Sequence, residues 1–344
     1  MAKPPDQPPA KRPPGASLSV SAALMNFAGQ APTPPAPPVL TRPSLDEALA
    51  RGSESGKLAA SLKLKEMHER ELVAAQLAAG DKPDSVARQL NLARALRDAG
   101  RHEEAIAAYR RAVELDPAAP HARHLLAVMG GEEIPPNTPP ELVAKLFDQY
   151  AEDFDRSLVG ELKYQGPWLI EEAVRTARAG ADPNARLEIL DLGCGTGLAA
   201  LQLLSIASTV DGVDISSAMI EKARARGIYR RLAVADLMEV LKHHIAAYDM
   251  LVAADVFTYF GDLAPALAAA YATLRGGGLF AFTTELGEGA GYAVSAGGHY
   301  RHGPAYVAAT AADAGFAVRV RNAGHLRMHL GAPVACETYV LAKP

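Results

Sequence analysis

Apolar positions in the second half of the chain repeat with two different spacings. Short apolar runs end at five points: Asp191, Asp214, Ala235, Ala253 and Thr284. Between them, apolar residues fall three or four positions apart, as on one helical face, for example in Ser216–Arg226 and Asp262–Leu274. Strands that alternate with helices predict an α/β domain, with a parallel sheet covered by helices on both faces. Two more strand candidates, Phe316–Val320 and Glu337–Ala342, follow with no helix between them.

The first half of the chain has a helical pattern. From about Ser44 it is rich in Ala, Leu, Glu, Lys and Arg, which are good helix formers. Within it, Val86–Ala119 predicts two helices separated by Gly100. Small, aliphatic and aromatic residues share faces of these helices: Leu92, Ala93, Leu96, Ala105, Tyr109 and Ala112. The spacing resembles the tetratricopeptide repeat (TPR) of about 34 residues, without the tryptophan often found early in it. His121–Met129 predicts the first helix of a second repeat.

Prolines and glycines divide the chain. Residues 1–43 hold 12 of the 25 prolines and few apolar residues, which predicts a disordered tail; a proline motif that binds a partner is the alternative. The pair Gly130-Gly131 and four prolines after it mark a second boundary. We therefore expect a proline-rich tail over residues 1–43, a TPR-like helical segment over 44–135 and the α/β domain over 136–344.

Charge and composition argue against several functions. The chain has 35 Lys and Arg against 39 Asp and Glu, a net charge of −4, which is not the basic balance typical of nucleic-acid binding. No apolar run approaches the roughly 20 residues that span a bilayer. Two cysteines, Cys194 and Cys336, are too few for a disulfide framework and favour a cytoplasmic location. Ser17–Ala28 is faintly similar to a secretion signal, but polar residues interrupt it and no clear cleavage pattern follows.

The segment Leu187–Gly197 carries the strongest chemical signal. An apolar strand runs into Asp191 and then into the glycine turn Gly193-Cys194-Gly195. Glycine allows backbone conformations and a close approach that a Cβ would prevent. Dinucleotide-binding enzymes use a similar loop for pyrophosphate, but Leu198 stands where their third glycine is needed. Asp191 would also repel a pyrophosphate, whereas a carboxylate suits a cationic group of a ligand.

With these residues, Leu142–Pro344 resembles the class I S-adenosylmethionine-dependent methyltransferases, whose first motif is an acidic strand end followed by such a loop. The segment Leu146–Asp155 is similar to the aromatic, acidic helix that precedes the core in small-molecule methyltransferases, including those of quinone and biotin pathways. The resemblance implies a Rossmann-like sheet that is mostly parallel, with an antiparallel last strand. It also implies S-adenosylmethionine as the cofactor.

The same resemblance implies which residues contact the cofactor. Asp214 would accept hydrogen bonds from the ribose hydroxyls, as acidic residues do in dinucleotide folds. Asp236 would bind the adenine amino group, and Tyr150 would cover the methionine end. The full expected set is Tyr150, Asp191, Gly193, Cys194, Gly195, Asp214, Ile215, Met219, Asp236, Leu237 and Ala254. For each aspartate a turn or cap role is the alternative, and for Tyr150 it is packing.

Catalytic candidates lie near the expected acceptor edge. The glycine-rich segment Glu285–Gly303 predicts a flexible lid or substrate loop, or else a solvated surface loop. Within it, His302 is the first candidate for a general base, because an imidazole is partly unprotonated near neutral pH. His299 and Asp255 are the other two candidates, and Tyr306 is placed to hold an aromatic acceptor.

The predicted function is transfer of the methyl group of S-adenosylmethionine to a small-molecule acceptor. Asp255-Val256-Phe257-Thr258-Tyr259 stands where several amide and adenine N-methyltransferases carry Asn-Pro-Pro-Tyr, which argues against a nucleic-acid acceptor. Residues 44–130 predict a site for a protein partner. The alternatives are a protein methyltransferase and a TPR scaffold with a regulatory S-adenosylmethionine-binding domain. A nicotinamide oxidoreductase is disfavoured by the glycine loop.

Overall fold

A computed structural model describes residues 54–117, 120–130, 134–152, 154–155, 158, 160, 162–295, 298–329 and 332–344. The predicted disordered tail, residues 1–43, lies outside this part of the chain. None of the helices in the described ranges is both long enough and apolar enough to cross a membrane.

Four helices form the N-terminal segment: α1 Glu54–Asp81, α2 Val86–Asp98, α3 His102–Leu115 and α4 Pro120–Val128. The helix pair α2–α3 is the predicted repeat, and α4 coincides with the predicted start of a second one. Their shared core contains Leu72, Ala93, Leu96, Ala105, Tyr109 and Leu126. Alanines let these helices approach closely, and the ring of Tyr109 fills the space between them.

The α/β domain is built on one mixed sheet. Its parallel strands are β1 Leu187–Leu192, β2 Ala207–Asp214, β3 Arg231–Val234, β4 Tyr248–Ala253 and β5 Leu274–Leu286, in the order β3-β2-β1-β4-β5. Two further strands close the sheet, β8 Ala317–His329 and β9 Ala332–Ala342; β9 pairs antiparallel with both β5 and β8. The predicted class I arrangement is confirmed.

Helices cover both faces of this sheet. On one face α6 Gly166–Ala177, α7 Leu198–Leu203 and α8 Ser217–Arg226 pack against alternate strand residues such as Met250 and Val252. On the other face α9 Leu237–Lys242, α10 Ala264–Thr273 and α11 Pro304–Asp313 pack against residues such as Tyr248 and Leu251. Because side chains alternate across a strand, β4 supplies both cores from consecutive residues. A further helix, α5 Pro140–Tyr150, precedes these.

The segment Glu285–Gly303 differs from the predicted flexible loop. It contains two short strands, β6 Tyr292–Val294 and β7 Tyr300–His302, which pair antiparallel with each other. Strand β7 also pairs in parallel with Glu285 and Leu286 at the end of β5. Backbone pairing and the buried ring of Tyr300 hold this hairpin in the sheet, so its described part is an ordered extension of the domain.

The residues at the predicted boundary, Pro135 and Pro136, are hydrogen-bonded to the α/β domain. The carbonyl oxygen of Pro136 accepts hydrogen bonds from the backbone amides of Gly261 (2.7 Å) and Asp262 (3.0 Å). The hydroxyl of Tyr300 donates to the carbonyl oxygen of Pro135 at 2.7 Å. Ring centroids of Tyr300 and His124, on α4, lie 6.4 Å apart. The helical segment therefore joins the domain beside the β6–β7 hairpin.

Replacing Tyr109 with Ala tests the core of the repeat. Its side chain is 0% exposed, so we expect the change to cost about 3–5 kcal/mol, because a large buried ring leaves a cavity. Hydrogen exchange measured by mass spectrometry should increase in residues 86–129 and stay unchanged in the strands of the sheet.

Tyr109→Phe is the matched control. The Tyr109 hydroxyl has no hydrogen-bond partner within the described residues, so removing it should leave exchange within twofold of wild type. Equal protection in the Ala and Phe variants would contradict a core role for the ring.

Candidate active site

The glycine loop lies at the carboxyl end of β1. Gly193 and Gly195 have φ angles of +62° and +53°, in the left-handed region that favours glycine. A Cβ on Gly193 would lie 2.6 Å from a methyl carbon of Val256. At Gly195 a Cβ would meet only the ring of Phe154, at 3.9 Å. The loop is therefore closely packed against Val256 at Gly193, and it has more space at Gly195, on the side of Phe154.

Asp214, at the end of β2, holds this loop to the next one. One of its carboxylate oxygens accepts from the Gly195 amide and the other from the Ser216 amide, each at 2.8 Å. Burial raises the pKa of Asp214, while these backbone hydrogen bonds oppose the shift. The Ser216 hydroxyl accepts from the Met219 amide at 3.1 Å and caps helix α8.

Asp191, at the end of β1, is 2% exposed. The hydroxyl of Tyr229 donates a hydrogen bond to it at 2.8 Å. Burial raises the pKa of Asp191 to about 7, and the nearby charge of Asp214 acts in the same direction. No Lys, Arg or His of the described residues forms an ion pair with either of these aspartates.

Asp236 follows β3 and caps α9 by accepting from the Met238 amide at 2.8 Å. Together with Ala235 and Leu237 it lines a cavity that the glycine loop also borders. Only one of its carboxylate oxygens binds the helix, so Asp236 can cap α9 and also contribute to the cavity wall.

Helix α5 and the residues that follow it cover the cavity and are attached by carboxylates. Asp148 accepts from the Ser216 hydroxyl at 2.6 Å and from the Ala218 amide at 3.2 Å. Asp155 accepts from the Thr196 hydroxyl at 2.5 Å and forms an ion pair with Arg226. Sequence reasoning identified this acidic segment but missed these two carboxylates. Tyr150 lines the cavity, yet its side chain is 57% exposed, which places it at the rim.

One cavity of about 390 Å³ connects the glycine loop to a polar cluster. Its walls include Phe147, Phe154, Tyr164, Leu198, Val256 and Tyr259. Nearly all of the expected cofactor contacts line it: Tyr150, Asp191, Gly193, Cys194, Gly195, Asp214, Ile215, Asp236, Leu237 and Ala254. Met219 does not; it lies in the first turn of helix α8, and its side chain is fully buried.

Arg327 on β8 is the centre of the polar cluster. Its Nη1 donates to both carboxylate oxygens of Asp255, at 3.0 and 2.8 Å, and its Nη2 donates to Glu285 at 2.6 Å. Asp255 has a φ of +59°, a strained conformation for a residue with a side chain, and its amide donates to the Thr283 hydroxyl at 2.9 Å. Arg327 therefore ties together the ends of β4 and β5.

Glu285 is 3% exposed and remains ionised. Burial alone would raise its pKa, but hydrogen bonds from His299 and Arg327, together with the positive charge of Arg327, outweigh burial and hold the pKa below its usual range. Burial raises the pKa of Asp255, and Arg327 opposes that shift. Burial would lower the pKa of Arg327, but the two carboxylates raise it.

The structure separates the three catalytic candidates. His299 lines the cavity, with its Nδ1 3.1 Å from Glu285, and Asp255 lines it as well. His302 lies outside it, fully buried, with its Nε2 3.2 Å from the carbonyl oxygen of Gly261. Burial lowers the pKa of His302 to about 4. His302 cannot reach an acceptor in this cavity, so its expected role as the base is not retained.

Tyr306 also lies outside the cavity, and its hydroxyl accepts from the Leu263 amide at 2.9 Å. Tyr306 lies on helix α11. For His302, strand pairing explains the misplacement. Alternate residues of β7 face opposite sides, and the expectation for this segment was an unpaired loop.

Sequence reasoning also missed Arg327, Glu285 and Tyr229. The signal for Arg327 was a charged residue between the apolar residues Leu326 and Met328, but the predicted strand ended at Val320. A buried arginine in a strand interior requires a carboxylate partner, and its partners are distant in sequence.

Comparisons with known proteins agree with this geometry. Residues 189–278 match the family model of a methyltransferase domain, and residues 93–129 match that of a TPR repeat. Methyltransferase-like protein 27 of Homo sapiens is 40% identical over 101 residues, which are 28% of this chain and 40% of that protein. Malonyl-[acyl-carrier protein] O-methyltransferase of Salmonella typhimurium is 33% identical over 96 residues, 28% of this chain and 38% of that protein. The chain thus spans about two fifths of the length of these relatives.

Among solved structures, that of the [4+2]-cyclase SpnF is similar, with a TM-score of 0.50 and 17% identity over 61% of this chain and 98% of that one. This likeness concerns the fold alone. The matched segments show that a domain similar to methyltransferases, with the class I fold, follows a segment similar to a tetratricopeptide repeat.

Proposed function

We propose that this chain binds S-adenosylmethionine in the cavity and transfers its methyl group to a small molecule held against the Arg327 cluster. One observation carries the proposal: a single cavity joins the glycine loop, with its buried carboxylates, to a second polar cluster. The first end fits a cofactor and the second an acceptor. Class I methyl transfer needs both ends in line, because holding the reactants together supplies much of the rate.

The buried carboxylates support the choice of cofactor. Asp191 and Asp214 have no cationic partner within the described residues, and buried carboxylates without one are costly. The ammonium group of S-adenosylmethionine would compensate Asp191, and its ribose hydroxyls would donate to Asp214. The rings of Phe154 and Tyr259, also in the cavity wall, suit a sulfonium cation.

The covered cavity supports a small acceptor. Its volume of about 390 Å³ is within the range of sites for small ligands, roughly 300–1,000 Å³. Helix α5 closes it on one side through Asp148, and the residues that follow the helix do so through Asp155. A protein acceptor, the alternative, would have to insert a side chain between this helix and the β6–β7 hairpin.

The helical repeat supports a partner role for residues 44–130. TPR helices usually present a surface for protein contact. Here the repeat adjoins the acceptor side of the domain through Tyr300, whose hydroxyl donates to Pro135 and whose ring lies beside His124. A protein bound to the repeat would therefore lie near the acceptor entrance, where it could deliver a small acceptor or regulate its access. The TPR scaffold with a regulatory cofactor domain remains the alternative.

Asp214→Asn tests cofactor binding. The change removes a carboxylate that holds Gly195 and that would accept from the ribose, and hydrogen bonds to charged groups contribute about 1.5–3 kcal/mol each. We expect the affinity for S-adenosylmethionine, measured by isothermal titration calorimetry, to fall at least tenfold. Asp313→Asn, on the exposed end of α11, should bind like wild type. Equal affinities in all three proteins would refute the assigned site.

Cofactor affinity should depend on pH through Asp191. Its pKa is raised to about 7 in the protein without ligand, so below pH 7 it is mostly protonated and cannot pair with an ammonium. Each pH unit below 7 should therefore weaken binding by up to about tenfold. Calorimetry between pH 5.5 and 7.5 avoids deprotonation of the ligand's amino group, expected near ~8. A similar slope in Asp191→Asn would assign the dependence to another group.

The α/β domain should bind cofactor without the helical repeat. A truncated chain that begins at Ile134 keeps the Pro135 and Pro136 contacts with Tyr300, Gly261 and Asp262. We expect its affinity for S-adenosylmethionine to stay within twofold of the full chain. Loss of binding in a folded truncated protein would show that the repeat contributes to the cofactor site.

A further inference from the structure

The contact between Glu285 and His299 takes no part in the proposed binding of the cofactor. We propose that His299, oriented by Glu285, is the general base that removes a proton from a hydroxyl group of an uncharged, largely apolar acceptor such as a phenol. This role rests on the methyl transfer proposed above. The proposal depends on two properties of the site: the orientation of the His299 imidazole and the absence of net charge on the groups around it.

The imidazole direction follows from the partners of Nδ1. This atom lies 3.1 Å from a carboxylate oxygen of Glu285 and 3.2 Å from Nη2 of Arg327. Nη2 donates to the same Glu285 oxygen at the shorter distance of 2.6 Å. A lone pair on Nδ1 would face an ionised carboxylate, which is unfavourable, so the tautomer with Nδ1–H donating to Glu285 is preferred. In that tautomer Nε2 carries the free lone pair.

The other groups around His299 are poorer bases. Asp255 accepts two hydrogen bonds from Arg327, which favour its ionised form and so make it a weaker base. Burial raises the pKa of Tyr259, so its hydroxyl stays protonated. Burial lowers the pKa of His329, and no hydrogen bond from the described residues orients its ring. The titratable and charged groups that face His299 are Asp255, Tyr259, Glu285, Arg301, Arg327 and His329.

The charges of this cluster cancel, which selects against an anionic acceptor. Arg327 pairs with Asp255 and Glu285, and Arg301 lies 3.6 Å from the second oxygen of Glu285. Two cations and two anions leave no net charge to attract a carboxylate or phosphate. The neighbouring wall is aromatic: the rings of Phe147 and Tyr259 meet edge to face at 5.7 Å, and Tyr259 meets His299 at 6.0 Å. A ring that bears a hydroxyl fits this environment.

The proton and electron pairs balance in this step. The acceptor O–H bond breaks, and its proton moves to Nε2 of His299. A lone pair of that oxygen forms the new bond to the methyl carbon while the carbon–sulfur bond breaks, and the electron pair of the broken bond remains on sulfur as a neutral thioether. The resulting imidazolium is stabilised by the ionised carboxylate of Glu285, in the way that a carboxylate supports a catalytic histidine elsewhere.

The first test reads the tautomer and needs no acceptor. Long-range ¹H–¹⁵N NMR spectra of the ¹⁵N-labelled full chain at neutral pH identify which imidazole nitrogen carries hydrogen, and His299→Gln assigns the signals. We expect Nδ1 protonated and Nε2 unprotonated in wild type, with this preference lost in Glu285→Gln. His243→Gln, an exposed histidine on the distant end of α9, should leave the His299 signals unchanged. A wild-type Nε2–H tautomer would overturn the proposal.

The second test reads proton removal with 4-nitrophenol, whose ionised form is coloured, bound to the full chain saturated with S-adenosylhomocysteine. Its ionisation constant should rise at least tenfold over that of free 4-nitrophenol in wild type and His243→Gln, and by less than twofold in His299→Gln. No binding at millimolar concentration, or the same ionisation in both histidine variants, would overturn the acceptor class. Failure of the protein to bind S-adenosylhomocysteine would instead count against the proposed function, and the tautomer result would still stand by itself.

Discussion

The buried guanidinium of Arg327 is the interaction on which the acceptor end of this domain depends. It comes from the antiparallel strand β8 and binds carboxylates at the ends of the parallel strands β4 and β5, across 72 and 42 residues of sequence. Removing one partner of a buried ion pair leaves an uncompensated charge, at a cost of about 3–5 kcal/mol. Arg327 thus makes the closing hairpin part of the site, rather than only an edge of the sheet.

The two ends of the cavity solve opposite electrostatic problems. At the acceptor end, the cations Arg327 and Arg301 neutralise the buried carboxylates Asp255 and Glu285. At the glycine loop, the buried carboxylates Asp191 and Asp214 have only hydroxyl and amide donors in the described structure. The first end is complete without ligand, whereas the second gains most from a positively charged one. This asymmetry favours the cofactor at the loop and an uncharged acceptor at the cluster.

The proline-rich connection has a mechanical consequence. Because the carbonyl oxygens of Pro135 and Pro136 bind the hairpin and the turn after β4, the helical repeat is attached to the acceptor side. The cofactor side is held by different contacts, those of Asp148 and Asp155 on the covering segment. A partner on the repeat would consequently act first on the acceptor side of the cavity.

Local pattern determined much of this protein. Alternating apolar runs predict the parallel strands and the helices between them. The glycines that follow Asp191 predict the loop. Both features depend on neighbours in sequence. The aspartates at strand ends were found for the same reason, since parallel strands bring their carboxyl ends to one edge.

Only the tertiary structure decided the acceptor end. His299 and His302 are three residues apart in a segment with no apolar pattern, yet pairing of β7 with β5 buries one outside the cavity and leaves the other in its wall. Nothing in the local sequence marks Arg327 and Glu285 as partners; they meet because β9 pairs with both β8 and β5. Side-chain direction on a strand and contacts across long stretches of chain depend on the register of pairing, which local sequence does not specify.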